Sequence, residues 1–223
     1  MKASIVITAD QIGSRRGSSP PAKVTLDLLE PLVHGAGSRK FAQQAGDEIQ
    51  GLLTTSVDAV SALEVLTRVG KWRVGVGIGM VDTPVPRDVR VANGSAFVAA
   101  RHALTAARGA PQDLRVEAAD APTGRATRVA DGVRDLQTAL WLTRIVWRRR
   151  TDTGWQAIDA VQQSRTQQDA ALALGITPSA LSQRLSAAAR EEGQAGSRLA
   201  AVLMDALRDA VAANLGTAVG TDR

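Results

Sequence analysis

The spacing of apolar positions changes several times along the chain, and each change marks an element. Residues 3–9 are an unbroken run of β-branched and apolar residues flanking Ser4 and Thr8, which predicts a buried strand. Residues 11–21 are rich in Gly, Ser and Pro and read as a loop. Over residues 22–33, Val24, Leu28, Leu29 and Leu32 recur at helical spacing, with Pro31 as a kink or an end. Residues 40–44 and 49–54 read as two strands joined by the tight turn Ala45-Gly46-Asp47-Glu48. Residues 57–69 carry Ala59, Ala62, Leu63 and Leu66 as one helical stripe. In residues 72–81, Val74, Val76, Ile78 and Met80 alternate with Arg73 and three glycines, the pattern of a strand with one demanding face. An Ala-rich helix over 95–108 and a strand over 114–118 follow.

Beyond that point only the helical period remains. Residues 131–150 form a long predicted helix with Leu136, Leu140 and Ile145 in its stripe. It ends in Arg148, Arg149 and Arg150, which suit the negative end of the helix dipole. Residues 151–154 are a break, 155–164 a helix, and 197–212 a last amphipathic helix carrying Leu199, Val202, Leu203, Leu207 and Val211. The tail, 216–223, is expected to fray. The reading is an α+β protein of two domains: an α/β domain over 1–150 and an all-α domain over 151–223.

Residues 167–185, QQDAALALGITPSALSQRL, have the pattern of a helix-turn-helix. A first helix over 166–174, with Leu172 and Ala173 apolar, ends at Gly175, which can adopt positive φ. Ile176 plugs the core behind the turn, Thr177 can cap a second helix, and Pro178 suits its first position. Ala171 is small where the helices must approach. Leu181 and Leu185 face inward, so Ser179, Ser182 and Gln183 face outward as short hydrogen-bonding groups suited to base edges in a major groove. The expected DNA contacts are Thr177, Ser179, Ser182, Gln183 and Arg184. Charge is sparse here: Asp169, Arg184 and Arg190 are nearly all of it. Phosphate contacts would then fall to Arg148, Arg149 and Arg150, or to a second subunit. The other reading is a plain helical hairpin, with the Arg run serving the helix dipole alone.

Composition narrows the chemistry. The 223 residues hold 27 Lys and Arg against 22 Asp and Glu, a formal charge of +5 that permits a nucleic-acid partner without requiring one. There is no Cys, which excludes disulfides and thiolate metal sites, and His34 and His102 are too few for an imidazole zinc site. No apolar run has the length of a membrane span or a signal peptide, so the expected setting is cytoplasmic, without a membrane partner.

The N-terminal half offers carboxylates instead. Asp10 ends the first predicted strand and Asp47 sits in the hairpin turn. Two Asp with phosphate oxygens suit Mg²⁺. Alternatively, Asp10 caps a loop and Asp47 occupies a turn because Asp favours turns.

Several segments resemble a known type of fold. IVITADQIGSRR is similar to the opening strand of class III nucleotidyl cyclases and diguanylate cyclases. FAQQAGDEIQGLLTTSVDAVSALEVL is similar to their Gly-Asp hairpin and next helix, and VGVGIG with GSAFVAARHAL to their glycine-rich strand and the helix that follows. Order and spacing hold over about residues 3–110. Over most of the chain the closer resemblance is to the SatD family, through GDEIQGLL, NGSAFVAAR and the C-terminal helix-turn-helix. That resemblance implies a ferredoxin-like, nucleotidyl cyclase-like N-terminal domain and a cytoplasmic protein, but no established activity. By position it maps metal-type carboxylates to Asp10 and Asp47, and nucleotide contacts to Gly46 and to Arg101, the transition-state Arg. The sequence departs from the cyclase pattern at Gln43, where a base-reading Lys would stand, and at Phe97, where an Asn would orient ribose. A bulky apolar ring there opposes cyclisation. Ser14, Arg15 and Arg16 either meet phosphate or form a solvated loop.

The expectation is a DNA-binding transcriptional regulator with a degenerate cyclase-like sensing or dimerisation domain and no assigned catalytic residue. The alternatives are a metal-dependent nucleotide-binding or nucleotidyl-transfer enzyme retaining Asp10 and Asp47, and an interaction scaffold. Expected partners are double-stranded DNA, a second copy of the chain through the Leu199–Leu203–Leu207 stripe or the sheet, and a nucleotide effector. No resident cofactor is assigned; Mg²⁺ with a nucleotide is what the carboxylate pair would accept.

Overall fold

Strand β1 (Ser4–Gln11) lies at the centre of a sheet because its residues are buried on both sides over most of its length. The computed structural model describes residues 3–13, 22–44, 46–119 and 126–218. Strands β3 (Glu48–Leu53) and β4 (Trp72–Gly79) flank β1, both antiparallel to it. Strand β2 (Arg39–Gln43) pairs with β3, and β5 (Leu114–Ala118) runs parallel to β4. The order is β2-β3-β1-β4-β5. Helix α1 (Ala22–Leu29) links β1 to β2, α2 (Ser56–Val69) links β3 to β4, and α3 (Ser95–Ala106) links β4 to β5. Helix α1 stops at Leu29, where Pro31 opens a 3₁₀ turn instead. Its buried residues are Ala22, Thr25 and Leu29, while Val24 and Leu28 of the expected stripe are exposed.

The two faces of the sheet are covered differently. On one, Ile5, Ile7, Ala9, Ile49, Leu53, Val74, Val76, Ile78, Leu114 and Val116 join one large apolar core. Helices α2, α4 (Ala126–Arg148) and α8 (Arg190–Ala218) supply the other side of that core. On the opposite face α3 lies directly on β4. A Cβ added to Gly77 would come within 2.2 Å of the Ala100 nitrogen, and one added to Gly75 within 2.3 Å of the Leu104 nitrogen. The glycines of β4 and the alanines of α3 are therefore one feature: neither element reaches this distance with larger residues.

The remaining helices form a small unit beside the sheet. Helices α5 (Asp152–Gln163), α6 (Gln167–Ala173) and α7 (Pro178–Ala187) pack on one another through Ala157, Ile158, Ala170, Ala171, Leu181 and Leu185. Each has a threonine N-cap, with Thr151, Thr166 and Thr177 accepting from the N–H three residues on. Gly175 joins α6 to α7 at φ +65°. Leu172, one of the apolar positions of this helix, is 80% exposed, and the helix buries Ala170 and Ala171 instead.

The division at 150/151 needs correction. Helix α8 does not stay with α5–α7 but returns to pack along α4 and α2. It buries Ala200, Met204, Leu207 and Val211 there, and Leu199 and Val202 point to solvent. Leu207 is thus spent inside its own chain, and the Leu199–Leu203–Leu207 stripe does not form an outward dimer surface. Arg208 secures the return: buried at 4% exposure, it donates to the Ala3 and Thr54 carbonyls at 2.7 Å each and to Asp205 at 2.9 Å. On α4, Leu136 and Leu140 are buried as expected, but Ile145 is exposed and Arg144 and Trp147 take the inward positions. Among the described residues no helix is long and apolar enough to cross a membrane. Ser14, Arg15 and Arg16, and residues 219–223 of the tail, lie outside the described residues.

Candidate functional site

Pairing register builds a charged row at the open end of the α3-covered face. Asp10 lies inside β1, opposite Glu48 on one side and Arg73 on the other. Period-two alternation therefore sets all three side chains on one face, beyond Val6 and Thr8, where α3 no longer covers the sheet. Arg73 Nη1 donates to Asp10 Oδ2 at 3.0 Å. From α3, Arg101 reaches down to Glu48, with Nη1 3.2 Å from Oε2 and Nη2 3.0 Å from Oε1. The second contact is off the hydrogen-bonding direction, so the buried Oε1 keeps an unused lone pair.

Asp47 completes the cluster from the hairpin turn. Burial, and then the Asp47 carboxyl within hydrogen-bonding reach, raise the pKa of Asp10 above its ordinary value, against the opposing pull of Arg73. Burial likewise raises Glu48, with Arg101 opposing and Asp10 and Asp47 adding to the rise. The carboxylates are thus held closer together than their charges favour. Among the described residues no three carboxylate or imidazole groups converge as a metal cage.

The residues expected from the cyclase pattern are partly assembled. Asp10, Asp47 and Arg101 come together around Glu48. Gly46, at φ +74°, forms the exposed turn, and its carbonyl accepts from the Gln43 side chain. Gln43, at the position of the cyclase pattern's base-reading Lys, therefore braces the hairpin. Phe97 is half-buried against Val6, Leu52, Val89, Ala96 and Ala100, so its ring closes the apolar part of this face. Glu48 and Arg73 were missed as site residues. Both are set by the pairing of β1 with β3 and β4, strands not joined by a tight turn, so no local pattern announces them.

The expected DNA contacts divide into two groups. Ser179, Ser182 and Gln183 are exposed on α7, with Leu181 and Leu185 buried behind them and Arg184 half-buried. Thr177 is exposed, but its hydroxyl oxygen accepts the Ala180 N–H at 3.1 Å as the cap. Of the Arg run, Arg148 and Arg149 are exposed. Arg148 is bound to Asp113 at 3.0 Å. Arg150 is withdrawn altogether: its side chain is 3% exposed, pairs with Glu64 at 3.2 Å, donates to the Ala188 carbonyl and lies 4.5 Å over the Trp155 ring. It fastens α5 and the end of α7 to α2, which removes it from any DNA surface.

Compared with family models, curated proteins and solved structures, the chain matches none.

Proposed function

We propose that the chain is a DNA-binding regulator in which α6 and α7 form a helix-turn-helix and the sheet unit serves sensing or dimerisation. The observation that carries this reading is the surface of α7. Ser179, Ser182 and Gln183 stand exposed at the start of a capped helix whose opposite side, Leu181 and Leu185, is buried. Small polar groups near a helix N-terminus are what base-edge recognition uses. With Arg150 buried and Arg148 held in a surface ion pair with Asp113, phosphate contacts fall mainly to Arg149, Arg184 and Arg165, which is exposed just before α6. So few cations make a second subunit necessary for tight binding. The strand order β2-β3-β1-β4 with its βαββαβ connections supports the ferredoxin-like, cyclase-like reading of the sheet unit. The test is selection of bound sequences from genomic DNA by the purified full-length chain. A discrete enriched motif is expected. Ser182→Ala with Gln183→Ala should relax preference by about 1–3 kcal/mol per lost base contact, and Arg149→Ala should weaken all sequences alike. Failure to enrich any motif ends the reading.

A second reading has its own support in the crowded carboxylates. Asp10 and Asp47 would hold Mg²⁺ together with oxygens of a nucleotide phosphate, and Arg101 would meet the phosphate. Phe97 and Gln43 stand where ribose and base contacts would be needed, so the site binds without turnover. Mg²⁺ or Mn²⁺ with a nucleoside triphosphate should raise the melting temperature in the parent and not in Asp47→Asn. Asp47-dependent release of pyrophosphate would make the chain an enzyme instead.

A further inference from the structure

Helices α2, α4 and α8 cover one face of the sheet, and their outer side is not uniformly polar. Between α2 and α8 runs a groove of about 400 Å³, with Val57 and Val60 on one bank and Ala201 and Val202 on the other. Val57 and Val202 are 66% and 65% exposed. Leu199, the exposed member of the expected 199–203–207 stripe, stands one turn before Val202 at 53%. On the other flank of α8, α4 adds exposed Leu142, next in sequence to the Thr143 that packs at Gly196. Single apolar residues are ordinary on a surface, but a groove with exposed valines on both banks marks a contact surface.

The charges on α8 select what covers it. Arg198 and Asp205 bracket the apolar stretch, and both line the groove. Seven residues apart, they lie two turns from each other on one side of the helix. Arg198 is exposed, and the groove's carboxylates, Glu64 and Asp205, are bonded to Arg150 and Arg208, so Arg198 has no ion-pair partner among the described residues. Asp205 receives Ser56 and Arg208 on Oδ1, each at 2.9 Å, while its side chain stays 47% exposed. Its Oδ2 is left for an outside donor. A cation at one end, a carboxylate oxygen at the other and valine between them make a surface complementary to itself turned end for end. A two-fold axis passing α8 between residues 201 and 202 sets each Arg198 against the partner subunit's Asp205. Parallel helices would instead set arginine against arginine and aspartate against aspartate.

We propose that the α2–α8 groove is the interface of a two-fold dimer of this chain, with the α8 helices antiparallel, Leu199 and Val202 at its centre and two Arg198–Asp205 ion pairs at its ends. This dimer supplies the second subunit that the DNA reading calls for. It does not depend on that reading, because neither α6 nor α7 lines the groove.

The test is sedimentation equilibrium of the full chain without DNA. A reversible monomer–dimer equilibrium in the micromolar range is expected. Val202→Asp places a charge at the centre and should weaken it at least about a hundredfold. Arg198→Glu and Asp205→Lys should each weaken self-association about tenfold, since each turns two attractive pairs into two repulsive ones. Mixing these two variants in equal amounts should restore the parent affinity, because in the mixed dimer the introduced carboxylate meets the introduced ammonium and Arg198 meets Asp205. Mixing cannot repair a misfolded variant, so rescue separates an interface role from a structural one. Val202→Cys keeps the proposal open to refutation if Asp205→Lys does not fold. The chain has no cysteine of its own, so in a glutathione buffer Val202→Cys should form an intermolecular disulfide, and Leu172→Cys, as exposed on α6, should not. The proposal is overturned if the parent stays monomeric at high micromolar concentration, which gives the groove to a different partner. It is equally overturned if Val202→Asp dimerises as the parent does, if mixing folded charge variants restores nothing, or if the two cysteine variants cross-link alike. A dimer that behaves as expected and enriches no DNA sequence would end the DNA reading and leave this one standing.

Discussion

The two faces of the sheet solve different problems with the same strands. One face is filled. Its isoleucines, leucines and valines meet three helices, and its polar groups are few and bonded, as Arg208 is. The other face is emptied along β4, where glycines let α3 approach to backbone distance. It then gives way to Thr8 and Gln50, and finally to the Arg73–Asp10–Glu48 row. Stability is concentrated on the filled face. Groups able to bind a ligand collect where the other face runs out of cover, because a carboxylate there keeps some solvent and still feels its neighbours.

Adding bulk to one face and removing it from the other separates these roles most sharply. Gly77→Val sets a side chain into the backbone of α3 and should abolish folding or cost more than about 4 kcal/mol, since backbone cannot step aside as a side chain can. Ile78→Ala, one residue along on the filled face, should cost about 2–5 kcal/mol through a cavity and leave α3 seated. Denaturant unfolding of both variants measures the difference. A well-folded Gly77→Val would mean that α3 is not held by close approach.

Arg208→Met comes next. The methionine keeps the apolar stem but leaves the Ala3 and Thr54 carbonyls without their donor, and about 2–4 kcal/mol should be lost. If the loss is below 1 kcal/mol, α8 is held by Met204, Leu207 and Val211 alone.

Sheet order and the site were legible to different depths. Alternation in Val74, Val76 and Ile78 and the Ala59–Leu66 stripe announced their elements, because local period reports one buried face. The glycines of β4 were visible as a demand for space, though not what would fill it. Asp10 and Asp47 were reached from their places at a strand end and in a turn, and Arg101 through resemblance; Glu48 and Arg73 were not, because cross-strand neighbours depend on register. The course of α8 was least legible. An apolar stripe records that a helix is covered and not by which surface, so Leu207 fitted a dimer interface as well as its own core. Arg150 shows the same limit: three consecutive arginines look alike in sequence, and packing against Glu64 and Trp155 separates them.

The polar middle of the open face should matter less than either end. Thr8 and Gln50 are buried and joined by a long hydrogen bond of 3.4 Å. Thr8→Val retains the β-branched shape and removes that bond, at an expected cost of about 1 kcal/mol. A loss above about 2 kcal/mol in denaturant unfolding would mean that this pair, and not α3, fixes the open face.

The smallest effect has the opposite sign. Asp47→Asn removes a negative charge beside Asp10 and should stabilise the ligand-free protein by roughly 1 kcal/mol or less, since solvent screens these groups. The pH dependence identifies the cause. Asp10 and Glu48 have raised pKa values in the folded protein, so the fold holds their protons more tightly than the unfolded chain does. Their penalty is absent below the unfolded carboxylate pKa values, grows as pH rises from there through the raised folded values, and is complete above them. The gain from Asp47→Asn should therefore be near zero at about pH 3 and full at neutral pH. Urea unfolding at both pH values reads it. Equal gain at both would mean that Asn merely suits the turn better than Asp, and that crowding at Asp10 has little energetic weight. A destabilised variant at neutral pH would mean that Asp47 is tied to a basic group strongly enough to outweigh its repulsion with Asp10, and the row would then be a structural charge network with no room for a cation.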